Sequence, residues 1–264
     1  MSIYWSTHSK CLDEDVVGGK AASLARCVRA GLPVPDFFVD ATVEFRFKGG
    51  WAKMHSTINH DDTFLAYAQK LNMPVAVRSS AVGEDGDEDS YAGQHDTFLH
   101  VDSPSKAWEA YRQCLDSIHS DRAVAYRSTR RFTLQHWPQP IPHMAVIVQE
   151  MVDADASGVL FTRHPITDEE TLVIEAGEGA GAVVDGTGGT VTLVTSEDAS
   201  PTILVPHSDG SDPIEVPVQA LADLADRLKA IYGDALDIEW AIQGGVLSLL
   251  QVRPITTTEA GGMI

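Results

Sequence analysis

The rhythm of apolar and polar residues changes along this chain, and most of its elements can be read from that rhythm. Gly18-Gly19-Lys20 opens a segment with small and apolar residues at Ala21, Leu24, Cys27 and Val28. Gly31, Pro33 and Pro35 then stop it, which predicts a helix with its breaking signal. Phe37-Phe38-Val39 predicts a strand and residues 61–71 a helix. Residues 104–127 predict a longer helix, with Trp108, Tyr111, Leu115 and Ile118 at spacings of three and four. Met73 to Val77 is an apolar run suited to a buried strand, which places Arg78 at the strand end with Ser79 and Ser80 beside it. From residue 143 strands take over, at Met144–Val148, Ser157–Phe161, Thr171–Ile174 and Thr190–Val194. The exception is residues 218–232, where Leu221, Leu224, Leu228 and Ile231 form one helical stripe ending at Gly233. A mixed α/β chain follows, with a lobe boundary near Gln149 to Val152.

The last regular pattern is a β-hairpin. Leu236 to Ile242 alternates polar and apolar residues, and Val246 to Arg253 follows after Gly244-Gly245. A two-residue loop would set Glu239 opposite Leu250, with Gln251 through the other face. A three-residue loop, Gln243 to Gly245, would set Glu239 opposite Leu249 and Asp237 opposite Gln251. The hydrophobic pattern prefers the second. It collects Ile238, Trp240, Ile242, Val246, Leu250 and Val252 on one face and Asp237, Glu239, Gln251 and Arg253 on the other. Glu239 and Gln251 could then offer oxygens to one hard cation such as Mg²⁺, with phosphate and water completing the shell. A hairpin with one solvated polar face fits the same pattern.

Composition narrows the partners. The 264 residues with 44% apolar content can fill a substantial core. The formal charge of -19 argues against a nucleic-acid backbone or an anionic membrane surface. An anionic ligand would need a local basic pocket. Cys11, Cys27 and Cys114 lack metal-binding spacing and read as buried free thiols in a reduced, cytoplasmic setting. The sequence shows neither a membrane-length apolar stretch nor a secretion signal.

Several segments suggest phosphate chemistry. Residues 78–99 combine a basic anchor, an acidic Gly-containing loop and a small-residue turn leading to Thr97, the ordering of a phosphate-handling lid. A surface loop rich in turn formers and acids fits the same window. Glu84 to Asp89 lacks EF-hand spacing and reads as a solvated loop. Lys20 follows two glycines at a helix start, although Glu14 and Ala21 break the P-loop pattern. Glu175 to Ala182 resembles a Gly-rich cradle, misses G-x-G-x-x-G, and fits a flexible turn equally well. His95 and His164 lie beside these segments and read as structural or surface histidines.

Taken in order, GGKAASL, AGLPVP, AVRSSAVGED…SYAGQHDTFL, RAVAYR, MAVIVQEMV, SGVLFTRHP and DIEWA…LLQVRP resemble one family across nearly the whole chain. It is the amino-terminal nucleotide-binding domain of phosphoenolpyruvate synthase, pyruvate phosphate dikinase and rifampin phosphotransferase. The resemblance implies a two-lobed ATP-grasp-like fold closing over ATP and magnesium. Residues 1–148 would form an amino-terminal lobe with the phosphate-binding lid, residues 149–258 the carboxyl-terminal lobe, and residues 259–264 a tail. It implies that Lys20, Arg78 and Arg253 contact phosphates and carry the catalysis, and that Glu239 and Gln251 serve magnesium. Gln149, Glu150, Met151 and Val152 would form the adenine-side hinge, with Arg122 joining the phosphate site. The stretch from Ser79 and Ser80 through Gly93 to Thr97 would be the mobile loop over the triphosphate.

Two departures stand out. The family pattern E-A-x-W-G-L-G-E is altered here, with Glu178, Ala180 and Ala182 in place of the aromatic, the leucine and the closing acid. The chain also ends at Ile264, shortly after Arg253, so neither a phosphohistidine domain nor a pyruvate-binding barrel is expected within it. The leading expectation is an ATP- and magnesium-dependent kinase that phosphorylates a small-molecule acceptor directly. Its rivals are the ATP-binding part of a split enzyme that phosphorylates histidine on a separate carrier protein, and a non-catalytic nucleotide-binding module.

Overall fold

The computed structural model describes residues 2–41, 44–47, 50–53, 60–81, 97–117, 144–181, 183, 190–195 and 202–255. The expected helix beyond Ser117, the lid between 82 and 96, Gly93, His95, Arg122 and the tail lie outside these residues. The chain divides into two units, Met1–Arg29 with Asp36–Met151, and Ala30–Pro35 with Val152–Ile264.

In the first unit, strands β1 (Ile3–Trp5), β2 (Phe37–Asp40), β5 (Val75–Ala81), β6 (Thr97–Val101) and β7 (Met144–Glu150) form one sheet in the order β1-β2-β7-β5-β6. All neighbours are antiparallel. A separate ribbon pairs β3 (Glu44–Phe47) with β4 (Gly50–Lys53). The central strands are buried on both sides, so each sheet face needs a helical cover. Helices α2 (His60–Ala68) and α3 (Pro104–Ser117) supply one, burying Phe38, Val75, Val77, Val146 and Val148 against Phe64, Tyr111 and Cys114. Helix α1 (Glu14–Arg29) packs on β5 and β7. It breaks at Gly18, where φ is 77° and ψ 166°, so the regular helix begins after that residue, as the Gly18-Gly19 signal predicts. At the end of β2, Asp40 Oδ2 lies 2.8 Å from His60 Nε2 at the start of α2, both fully buried.

The second unit has a sheet in the order β10-β9-β8-β13-β14, again antiparallel throughout. Its strands are β8 (Ala156–Phe161), β9 (Leu172–Glu178), β10 (Thr190–Thr195), β13 (Leu236–Gln243) and β14 (Val246–Pro254). A small pair, β11 (Thr202–Val205) with β12 (Ile214–Pro217), precedes helix α4 (Val218–Tyr232). Leu221, Leu224 and Leu228 are buried on α4, which packs against β11 and β13. Ile231, expected on the same stripe, is 39% exposed because α4 is ending there. Ala30–Pro35 belongs to this unit: the Arg227 guanidinium donates to the Ala30 and Gly31 carbonyls, and the Leu249 N–H donates to the Pro33 carbonyl.

The α/β class with one antiparallel sheet per unit agrees with the fold class expected from the sequence. Among the described residues no helix is long and apolar enough to cross a membrane. The three cysteines are buried free thiols, and burial pushes the Cys11 thiol up to about 12.

Three local expectations are corrected. Arg78 does not end its strand: β5 continues to Ala81, because Ser79 and Ser80 stay in register with β7 and are buried. Glu175 to Glu178 are not a turn but the last four residues of β9, paired with β8 and β10. The hairpin loop holds two residues, with Gln243 opposite Val246 and Trp240 opposite Leu249. The register then shifts, so that Glu239 faces Gln251 and Asp237 faces Arg253. The intervening Leu250 makes a β-bulge, and because side chains alternate with a period of two, one extra residue swaps the faces. Leu249 rather than Leu250 is therefore the fully buried residue, and Val246, expected inside, is 66% exposed.

Candidate functional site

Each unit gathers its own set of candidate groups. In the first, the start of α1 is held hard against β5. A Cβ on Gly18 would fall inside contact distance of the Ser80 carbonyl, and the positive φ independently disfavours a side chain. One step along, the Ala21 N–H donates to Ser80 Oγ over 3.1 Å in a buried setting. The first N–H groups of a helix have no partner within it, so a hydroxyl from another strand caps α1. Lys20 sits between these two contacts.

Strand parity adds Arg78 to the same side of the sheet. Ser80 reaches α1, and Arg78 is two residues earlier on β5, so both face the helix side. Thr97 on β6 is the direct cross-strand partner of Arg78, and Gln149 on β7 is opposite Ala76, which places both on that side too. The unit thus brings Arg78, Thr97 and Gln149 to the sheet face that α1 covers, with Lys20 carried by that helix. Ser79 points the other way and is buried toward α2 and α3, and Ser80 is fully buried with its oxygen occupied by the cap. Both serines belong to the strand rather than to a loop.

At the end of β7, the Glu150 carboxylate accepts from the Asn72 N–H at 2.7 Å and from its Nδ2 at 3.0 Å. The Met151 N–H donates to the Pro74 carbonyl, while its sulfur accepts from the His100 N–H. Val152 opens the second unit.

In the second unit the bulge stacks two polar rows on one face of β13 and β14. The first is Glu239 beside Gln251, and the second Asp237 beside Arg253. Arg253 donates from Nε at 2.9 Å and contacts from Nη2 at 2.8 Å, both to Asp237 Oδ2. Burial pushes the Asp237 carboxyl above its ordinary range; the Arg253 charge pulls against that and the Glu239 charge adds to it. Sequence reading puts Asp237 on the polar face without giving it a role. The signal was its place two residues before Glu239, in step with Arg253.

The donor set fits a magnesium ion shared with phosphate. Glu239 and Gln251 offer carboxylate and amide oxygens across one row, and Asp237 lies in the next. Among the described residues no group of three His, Cys, Asp or Glu side chains gathers around a single point. A cation here would draw the rest of its shell from nucleotide and water.

The Gly-rich segment is built differently from an open cradle. The Gly179 N–H donates to the Asp155 carbonyl and the Gly181 N–H to Ser157 Oγ, whose own hydroxyl donates to the Gly179 carbonyl. Those two amides are already committed. Glu178, at the position of the family's aromatic, accepts from His207 Nδ1 at 2.8 Å and from the Ser208 N–H at 2.7 Å. These contacts hold its carboxyl below the usual range and tie β9 to the loop after β11. His164 also has a structural position, its Nδ1 accepting from the Ile166 and Thr167 N–H groups.

Comparison with known proteins adds the following. Residues 51–207 and 188–262 match the family described as the pyruvate phosphate dikinase AMP/ATP-binding domain. A probable phosphoenolpyruvate synthase of Methanothermobacter thermautotrophicus is 32% identical over an alignment covering 93% of this chain and 44% of that protein. The prodigiosin synthesizing transferase PigC of Serratia marcescens is 34% identical, over 94% of this chain and 32% of its own length. A rifampicin phosphotransferase of a Streptomyces species is 34% identical, over 69% of this chain and 23% of its own. The chain spans less than half the length of these curated relatives.

Proposed function

This chain belongs to the pyruvate phosphate dikinase AMP/ATP-binding domain family, and on that premise we propose that it is an ATP- and magnesium-dependent phosphotransferase. The observation that carries the reading is the two-row face of β13 and β14, where Glu239, Gln251 and an Asp237-oriented Arg253 lie side by side. Phosphoryl transfer asks little covalent work of a protein; it asks for positioning and for charge placed where charge develops.

In this reading Lys20 and Arg78 neutralise phosphate oxygens, and the amino-terminal end of the regular helix in α1 adds partial positive charge. Thr97, beside Arg78, offers a hydroxyl to the same oxygens. Arg253, held in orientation by Asp237, binds the group being transferred. Glu239 and Gln251 would hold magnesium, which would supply Lewis-acid neutralisation of phosphate charge. Gln149, Glu150, Met151 and Val152 receive the adenine. Gly93 and Arg122 keep the roles the family motifs imply, whereas Ser79 and Ser80, buried in β5, serve the strand and the helix cap instead. The acceptor is a small molecule phosphorylated directly. A second reading, phosphorylation of histidine on a carrier protein, draws support from relatives more than twice the length of this chain.

The test is to incubate the protein with ATP, magnesium and candidate acceptors and to identify the nucleotide product. ADP with a phosphorylated small molecule supports the direct kinase, whereas AMP with phosphate on a protein histidine supports the second reading. Tight nucleotide binding without turnover on any acceptor would overturn both and leave a binding module.

A further inference from the structure

We propose that the bulge at Leu250 is a positioning device for the Glu239 and Gln251 row, and that the hairpin does not need it in order to fold. This inference rests on the nucleotide-and-magnesium reading of that face. From Gln243–Val246 up to Trp240–Leu249 the two strands pair residue for residue, and from Glu239–Gln251 down to Leu236–Pro254 they pair residue for residue again. Between these stretches β13 passes directly from Trp240 to Glu239, while β14 passes through Leu250. The alternation of β14 is out of step at that one residue. Leu249 and Val252 are buried beside Trp240 and Ile238, whereas Ser248 and Arg253 are half-buried on the side of Glu239.

Removing Leu250 would join Leu249 to Gln251 and give a strand that alternates correctly from Leu247 to Pro254. Every cross-strand pair would be kept. The extra residue is therefore not required by the hydrophobic pattern or by the register. Its physical effect is local: a bulge bends its strand and increases the right-handed twist where it occurs. The bend falls beside the row that carries Glu239 and Gln251, and one row from the Asp237–Arg253 pair. Leu250 thus acts through its neighbours. It sets the angle at which the Gln251 amide meets a ligand held by Glu239, while Asp237 keeps hold of Arg253, and ligand sets are sensitive to such orientation.

The experiment compares the full-length parent, a deletion of Leu250, and Leu250→Ala, which keeps the bulge and removes the side chain. Thermal melting and titration calorimetry with ATP are measured with magnesium and, separately, with EDTA. The deletion is expected to melt within about 3 °C of the parent. It should bind ATP in magnesium about tenfold more weakly or worse, and bind ATP in EDTA as the parent does. Leu250→Ala is expected to stay within about twofold of the parent in both media. A deletion that keeps full affinity in magnesium overturns the inference. So does one that loses its cooperative melt, since the ladder should close without Leu250. If the parent itself binds no ATP in magnesium, the proposed function fails first and takes this inference with it.

Discussion

The start of α1 on β5 and the polar face of β13 and β14 place their groups by opposite means. The first is dry: a glycine backbone abuts a strand carbonyl, a buried hydroxyl caps the helix, and Lys20 and Arg78 are positioned as a consequence of packing. The second is half-wet, and its groups are placed by strand register, one bulge and one ion pair. Changes in the first region should therefore register mainly as lost stability, and changes in the second as lost ligand binding.

The sharpest way to break that contrast is Gly18→Ala. It forces a side chain into the Ser80 carbonyl at a positive φ, and is expected to cost about 3 kcal/mol in chemical denaturation. A loss below about 1 kcal/mol would mean that the close approach is not rigid.

Next comes Arg253→Ala, which leaves a largely buried Asp237 carboxylate without its cation and is expected to cost about 2 kcal/mol near neutral pH. Because the folded Asp237 pKa is raised, the native state holds that proton more tightly than the unfolded chain. Stability from this group grows as pH falls through the folded value, so the variant's deficit should shrink toward mildly acidic pH. Denaturation curves at several pH values check the sign, and a deficit that widens on acidification contradicts it.

Ser80→Ala removes the cap acceptor and strands the Ala21 N–H in a buried site. The expected loss is about 1.5 kcal/mol, with no pH dependence. A pH-dependent loss would point to a partner other than the amide.

Glu239→Gln has the smallest expected effect on stability, within about 0.5 kcal/mol, because the amide keeps the side chain's shape and removes a charge that raises the cost of ionising Asp237. Its effect on ATP affinity in magnesium should nonetheless be about tenfold or more. Unchanged affinity would remove Glu239 from the ligand set.

The elements with long, regular patterns were legible in the sequence. α1 with its glycine start, β2, β7, α4 and the closing hairpin all lie where periodicity puts them. What periodicity hides is burial of small polar residues. Ser79 and Ser80 look like loop chemistry, yet hydrogen bonding and close packing keep β5 going through them. Gly177 and Gly158 likewise sit inside strands, Gly158 because a Cβ would meet the Glu175 backbone and the Trp240 ring. The hairpin pattern puts Asp237, Glu239, Gln251 and Arg253 on one face but pairs them through a longer loop than the two-residue turn present. An alternation count cannot tell a longer turn from a bulge, and the doubled Leu249-Leu250 was the only clue. The Glu178–His207 contact joins residues far apart in sequence, so no local pattern announces it.

The segment Ala30–Pro35 has a consequence for how molecules of this protein meet one another. β14 is the last strand of its sheet, and such strands invite pairing by a second chain. Here the Leu249 amide is already taken by the Pro33 carbonyl, and Pro33 and Pro35 have no N–H with which to extend the ladder outward. With Arg227 fastening that segment at Ala30 and Gly31, the outer edge of the hairpin that presents the polar rows is blunted at Leu249 against pairing with a second chain.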